Sequence, residues 1–179
     1  MNRRKFYSDG FTLVELLIVI VIIGVLAGIS IVAYNGIQSR TQSATIQSDL
    51  RNFAQKVEQF YIINDHYPKS SNELLSLGWK ISQKQSYQQK SGGNVLYCTI
   101  SSGSDAKFVI AARTVANKAF TYSSQNGLQE YSGAWTGAGP IDCPLYGIST
   151  SATESMYAEG YHPSDWGGPG WKEWAETSN

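Results

Sequence analysis

The sequence predicts an α+β protein in which one long N-terminal helix packs against an antiparallel β-meander. Two observations support this fold class. An apolar run near the N-terminus continues into an amphipathic helical pattern, and short alternating strands separated by turns follow it. We therefore expect a long helix over residues 11–64 and a globular head over residues 65–179.

The composition describes a chain of balanced charge. Its 179 residues include 14 basic and 14 acidic side chains. After the N-terminal helix, enough chain remains for one domain with its own core. Proteins that coat nucleic acid are normally basic, so the balanced charge argues against that class of protein. It does not exclude contact with nucleic acid, but nothing in the sequence indicates such contact.

Residues 16–33 are uncharged and dominated by Leu, Ile and Val, which predicts a transmembrane helix. About 18 residues in a helix cover about 27 Å, close to the hydrocarbon thickness of a bilayer. Arg3, Arg4 and Lys5 precede the run, and the next basic residue is Arg40. By the positive-inside rule, the N-terminus stays in the cytoplasm and the rest of the chain is exported.

Two simpler interpretations fit this segment less well. A cleavable secretory signal has an apolar core of about 7–15 residues and then a small-residue cleavage site. Here the core is longer, and Ala27, Gly28 and Ser30 lie inside it. A plain signal anchor explains the length and the flanks but not Glu15, which lies within the first apolar turn.

A short basic leader ends at Gly10, and residues 10–15 read GFTLVE. This motif resembles the processing site of type IV prepilins and the related pseudopilins, and the close resemblance covers about residues 5–35. It implies a type IV pilin-like fold with residues 1–10 as a prepilin leader. It also implies that a prepilin peptidase and methyltransferase cuts between Gly10 and Phe11 and methylates the new amine of Phe11.

The resemblance gives Glu15 a role in assembly, since it becomes the fifth residue of the mature chain, where the family keeps a glutamate. Inserting a carboxylate into the membrane as part of a helix costs about 2.5–3.5 kcal/mol of free energy. The apolar residues around Glu15 offset this cost. We expect Glu15 to pair with the amine of Phe11 on a neighbouring copy, because breaking a buried ion pair is costly. The alternative is a glutamate that reaches the cytoplasmic headgroups without a partner.

Gly24 and Gly28 interrupt the apolar helix in a G-x-x-x-G arrangement. They favour either close packing between helices or a locally weakened helix, since each glycine costs about 1 kcal/mol relative to alanine. Pilin-like chains often have a proline where Val32 stands, and their helix loosens nearby in filaments. Without that proline, helix flexibility in this chain would depend on Gly24 and Gly28.

The helical pattern continues beyond the membrane segment, with apolar residues at intervals of three and four on one face. These residues are Ile46, Leu50, Phe53, Val57, Phe60 and Tyr61. Residues 64–68 then break the helix. Ser70 with Glu73 predicts a capped short helix that stops at Gly78.

Three or four short strands are predicted after this helix, at residues 94–100, 107–115, 120–123 and 128–131. Asn126-Gly127 between the last two is a strong hairpin signal. Consecutive strands with brief turns predict an antiparallel meander.

Residues 132–179 are rich in Gly, Ser and aromatic residues and show little periodicity. Their aromatic side chains could form a patch that binds glycans or protein partners. We favour the simpler interpretation that these residues fold over an exposed face of the sheet or belong to a mobile tail. The residues concerned are His162, Trp166, Trp171 and Trp174.

Cys98 and Cys143 are expected to form a disulfide if the head is exported, and to remain free thiols if it is cytosolic. Neither they nor His66 and His162 have the spacing of a structural zinc site. The sequence contains no catalytic constellation, no phosphate-binding loop and no pattern that points to a cofactor. It therefore predicts a structural protein and not an enzyme.

The sequence favours a pilin that assembles with other copies into a type IV pilus-like filament, where adhesion and motility are typical roles. Such a subunit spans the plasma (inner) membrane once before assembly and lies in an extracellular or cell-surface filament afterwards. Its partners would be membrane lipid, the prepilin peptidase and an inner-membrane assembly platform with its ATPase. One alternative is a pseudopilin of a type II secretion or DNA-uptake (competence) machine, and another is a membrane-anchored glycan- or partner-binding module.

Overall fold

The computed structural model describes residues 11–88, 93–151, 154–162 and 170–176. The chain divides into two compact units, Met1–Ser39 and Arg40–Asn179. The predicted leader, residues 1–10, lies outside the described residues.

Helix α1 (Leu13–Asn64) confirms the predicted long helix. Its first part is apolar on all sides, and the large apolar side chains described between Leu13 and Ile37 are 46–87% exposed. By length and composition, α1 is apolar enough to cross a membrane.

In the second unit, α1 is amphipathic and contributes one face to the core. Leu50, Phe53 and Val57 are fully buried, as the helical pattern predicts. The ring of Phe53 meets Trp79 and Tyr97 edge-on, at centroid distances of 4.9 and 5.4 Å. Edge-to-face contacts of this kind add to the stabilisation that comes from burying the rings.

A turn ends α1, and helix α2 (Ser71–Ser76) follows it. The hydroxyl of Ser70 accepts the N–H of Glu73 at 3.2 Å, so the predicted cap is confirmed. The Glu73 carboxylate accepts the N–H of Lys69 at 2.7 Å, one residue earlier than in a standard capping box. Gly78 has a φ of +59° just after the helix, a conformation that glycine adopts without strain.

Five strands form one antiparallel sheet in the spatial order β4-β3-β2-β1-β5. They are β1 (Val95–Ile100), β2 (Lys107–Arg113), β3 (Ala119–Ser123), β4 (Gly127–Tyr131) and β5 (Ser155–Glu159). The meander predicted for the first four strands is confirmed. Tyr97, Phe108, Ile110 and Phe120 from β1, β2 and β3 join the buried face of α1 in one hydrophobic core.

Residues 132–179, which show little periodicity in the sequence, nevertheless contain several regular elements that were not predicted. Helix α3 (Gly139–Leu145) and strand β5 form there, and β6 (Tyr161–His162) pairs with β7 (Gly170–Trp171) in a small second sheet. Strand β5 lies at the sheet edge and buries little beyond Ala158, so its sequence carries only a weak alternation. Helix α3 contains prolines. Because proline is disfavoured in helix interiors, the sequence of α3 does not look helical.

Cys98 on β1 and Cys143 in α3 form the disulfide expected of an exported head. Both residues are fully buried, and their Cα atoms lie 5.7 Å apart. With Val109 and Ile148 they form a second apolar cluster. Since successive side chains of a strand point to opposite faces, this cluster lies across the sheet from Tyr97 and the main core.

Candidate assembly site on the N-terminal helix

Helix α1 begins with a capping box formed by Thr12 and Glu15. The Glu15 carboxylate accepts the N–H of Thr12 at 2.9 Å and its hydroxyl at 2.7 Å, and the Thr12 hydroxyl accepts the N–H of Glu15 at 3.2 Å. The box satisfies two backbone N–H groups and puts a carboxylate at the positive end of the helix dipole. Glu15 therefore has a partner within the single chain.

Thr12 is absent from the site residues predicted above, although its signal is present in the sequence. Thr-x-x-Glu before an apolar run is the capping-box pattern. The same glutamate also belongs to the GFTLVE motif, so the two patterns overlap.

The structure describes one side of the predicted cleavage site. Phe11 is 85% exposed and lies beside the capping box at the start of α1. Gly10 lies outside the described residues. A peptidase that cuts before Phe11 would therefore meet an exposed apolar residue close to the start of α1.

The helix is continuous through Gly24 and Gly28 in the single chain. A Cβ atom added at either glycine would have no neighbour within 4 Å, so both positions leave open space along the helix. The Ser30 hydroxyl donates to the carbonyl of Leu26 at 2.8 Å, which satisfies it within the helix. This apolar surface suits lipid or other helices, and helix flexibility at the two glycines stays a prediction.

Asp49 ties the helix to the loop that follows α2, and it is only 1% exposed. Its carboxylate accepts the N–H of Ser82 at 2.9 Å, the hydroxyl of Tyr87 at 2.6 Å and the hydroxyl of Ser82. Its backbone carbonyl accepts the indole N–H of Trp79 at 3.0 Å. Burial, together with the Asp49 carboxylate, raises the pKa of Tyr87 well above its usual range, which keeps that hydroxyl protonated as a donor.

The aromatic C-terminal residues pack mainly into the head. Trp174 is 4% exposed and stacks on Trp79 at a centroid distance of 5.9 Å. Trp171 is half-buried and meets Tyr87 edge-on at 5.7 Å. For these two tryptophans the interpretation of a folded-over segment is confirmed. Outside the described residues lie Trp166 and the side chain of His162.

Comparison with known proteins places the N-terminal segment in a recognised class. Residues 6–31 match a family model described as the prokaryotic N-terminal methylation motif. The type IV wide pilus major component PilA4 of Thermus thermophilus is 28% identical over 137 residues, which cover 76% of this chain and 98% of the relative.

Two further relatives are similar over shorter segments. The type IV major pilin protein PilA of Myxococcus xanthus is 32% identical over 41% of this chain and 34% of its own length. The type II secretion system core protein G of Escherichia coli is 35% identical over 42% of this chain and 52% of its own length.

An exposed apolar helix, an antiparallel sheet head and a methylation motif at the helix start define a pilin-like structural protein. Its N-terminal motif and its similarity to two pilins and to a secretion-system core protein support the type IV prepilin and pseudopilin family for this chain. The printed names of these relatives describe a pilus component, a pilin and a core protein of a secretion system.

Proposed function

We propose that this chain is the structural subunit, or pilin, of a type IV pilus-like filament. The observation that carries the proposal is the first part of α1, which exposes apolar side chains on all sides, whereas the head has a buried core of its own. Such a surface requires lipid before assembly and neighbouring helices afterwards. Similarity over 98% of the length of a major pilus component supports a pilus subunit.

The subunit is made as a precursor and processed at the membrane. A prepilin peptidase removes residues 1–10 by cutting after Gly10, and the new amine of Phe11 is methylated. The match of residues 6–31 to the methylation motif supports this step. The basic residues before the apolar run favour an N-terminus in the cytoplasm, where a membrane platform with its ATPase drives assembly.

Assembly pairs Glu15 of one copy with the methylated amine of Phe11 on the next. In the single chain, Thr12 holds the Glu15 carboxylate, so pairing exchanges contacts within one helix for an ion pair between two helices. The carboxylate then has a partner both before and after assembly. This matters because an unpaired charge in an apolar environment is costly.

Mass spectrometry of the protein isolated from producing cells tests the processing step. The expected N-terminus is methylated Phe11. Retention of Met1, or an unmethylated Phe11, contradicts the proposal. In a Gly10→Leu control, residues 1–10 should persist, because the peptidase no longer finds its glycine.

A pseudopilin of a type II secretion or DNA-uptake machine is the second candidate function. The 35% identity to core protein G of the type II secretion system favours it over part of the chain. Electron microscopy separates the two functions, since a pilin produces long surface fibres that disappear when this chain is deleted. A pseudopilin at native expression level produces none.

A further inference from the structure

The tip of the hairpin between β3 and β4 carries the dipeptide Asn126-Gly127, and we propose that Asn126 is a site of spontaneous deamidation in the folded head. The side chain of Asn126 is exposed to water. Asparagine is thermally labile in proteins because the backbone nitrogen of the next residue can attack its side-chain amide. The proposal concerns the chemistry of the head and does not depend on the pilin proposal.

The reaction requires no enzyme and no reactant other than water. The backbone nitrogen of Gly127 attacks Cγ of Asn126, the Cγ–Nδ2 bond breaks, and ammonia leaves with the proton of the attacking nitrogen. The product is a cyclic imide that joins the two residues. Water then opens the imide at either carbonyl. Aspartate forms when the imide nitrogen leaves Cγ, and isoaspartate forms when it leaves the backbone carbonyl carbon of Asn126.

The surroundings of the hairpin tip favour this attack. Gly127 has no side chain to shield its nitrogen, and a Cβ atom added there would have no neighbour within 4 Å, so space for the imide ring is open. Within the described sheet, β4 is an edge strand, so local opening costs less there than in a central strand. The Ser123 hydroxyl accepts the backbone N–H of Asn126 at 3.0 Å, a contact that leaves the side-chain amide of Asn126 unengaged.

The chain contains the same dipeptide a second time, at Asn35-Gly36 within α1. The side chain of Asn35 is also exposed in the single chain, so exposure does not distinguish the two sites. In an α-helix, the N–H of Gly36 is bonded to the carbonyl four residues earlier, and freeing it requires the helical turn to open. The attacking nitrogen is therefore held by the helix, and the amide of Asn35 should persist while α1 is folded.

Asn117 separates the effect of the following residue from the effect of a turn. It is exposed, lies between β2 and β3, and has a φ of +64°. The next residue is Lys118, whose side chain hinders attack by its backbone nitrogen. The side-chain oxygen of Asn117 also accepts the amide of Gln88 at 3.0 Å. Asn117 should therefore keep its amide longer than Asn126.

Deamidation changes both the charge and the backbone of the hairpin. Each event replaces a neutral amide with a carboxylate, in a chain whose formal net charge is +0. Isoaspartate also inserts the β-carbon into the main chain, which lengthens the turn that sets the pairing of Ser123 with Gly127. If the chain forms filaments as proposed above, older subunits carry more negative heads than new ones.

The test follows the full, disulfide-bonded chain in detergent micelles during prolonged incubation in mildly alkaline buffer. Peptide mapping by mass spectrometry measures the amide that remains at each asparagine, and electron-transfer fragmentation distinguishes aspartate from isoaspartate. We expect Asn126 to yield both products. It should lose its amide at least about tenfold faster than Asn35, since a tenfold ratio corresponds to the net free energy of about one helical hydrogen bond.

Incubation of the same chain in denaturant is the matched control. Unfolding frees the backbone nitrogens of both glycines, so Asn35 and Asn126 should then react at similar rates. Asn126→Gln should remove the acidic products from the hairpin peptide of the folded chain, because glutamine forms its larger imide ring far more slowly.

Survival of the Asn126 amide in the folded chain overturns the proposal, and so does the formation of aspartate without isoaspartate. Equal loss of amide at Asn126 and at either Asn35 or Asn117 in the folded chain also overturns it. A slow reaction of Asn35 in denaturant would show that the helix is not the cause of its protection, which removes the structural basis of the proposal. The pilin proposal would stand in each case.

Discussion

Asp49 and Glu15 are two carboxylates on the same helix that depend on different partners. Glu15 is exposed and is held by Thr12, three residues away in sequence. Asp49 is buried and is held by Ser82 and Tyr87, more than 30 residues away. The first contact forms with the helix itself, whereas the second forms only when the head folds onto α1.

Replacing Asp49 should destabilise the head. Asp49→Ala leaves the N–H of Ser82 and the hydroxyl of Tyr87 buried without their acceptor, so we expect the free energy of unfolding to fall by roughly 3 kcal/mol. Denaturant unfolding followed by tryptophan fluorescence measures the change. Glu130→Gln, an exposed acid on β4, is the control and should shift stability by less than about 0.5 kcal/mol. Equal stability in the two variants would show that Asp49 does not fix the loop.

At the scale of elements, helical and strand periodicity made α1 and β1–β4 predictable from the sequence, with Asn126-Gly127 marking the hairpin between β3 and β4. Helix α2 is too short for a repeat and was predictable from its Ser70 and Glu73 cap. β5 and α3 lack that repeat, because an edge strand buries little and α3 contains prolines. Both elements depend on tertiary contacts: β5 pairs with β1, and α3 is held through Cys143.

The candidate site was predictable to a similar extent. The GFTLVE motif makes Phe11 and Glu15 candidates directly, since short-range motifs need no tertiary information, and their roles stay predictions. The loop contacts of Asp49 could not be predicted, because Ser82 and Tyr87 carry no pattern that links them to a residue on α1. An acid within an apolar stripe was the available sign of a buried partner.

Removing the disulfide should weaken the attachment of α3 to β1. The bridge spans a sequence separation of 45, and replacing both cysteines (Cys98→Ala with Cys143→Ala) should lower the free energy of unfolding by about 2–4 kcal/mol. Thermal unfolding with and without reductant measures this. Reductant should destabilise the wild type and leave the double variant unchanged. If the wild type is insensitive to full reduction, the bridge contributes no stability.

At the scale of the whole molecule, helix α1 belongs to both units of the chain, Met1–Ser39 and Arg40–Asn179, and its two parts need different environments. In the first unit, the described apolar side chains of α1 are exposed and need an apolar environment, whereas Arg40–Asn179 has a core and a disulfide. This division fits a protein that is first held in lipid and then transferred into a bundle of identical helices. It also means that assembly defects and folding defects can be separated by mutation.

Glu15→Gln should abolish polymerisation while leaving the head folded. The amide retains the size of the glutamate but loses the charge that attracts a neighbouring amine, and a missing buried ion-pair partner is costly. Filaments sheared from cells and counted by electron microscopy measure the effect, and the disulfide-bonded subunit in the membrane fraction reports folding. Glu130→Gln is the control of equal charge change. Wild-type filament numbers in Glu15→Gln would contradict the proposed role.

The link between Cys98 and Cys143 also limits how far a stretched subunit can lengthen. Cys98 and Cys143 are separated by 45 residues in sequence, and this segment would lengthen the subunit by about 150 Å if tension extended it fully. Because the disulfide is covalent, it prevents this extension even after the hydrogen bonds of the sheet have broken. A fibre made of such subunits would resist tension with short extensions, and chemical reduction should make it more compliant before it breaks.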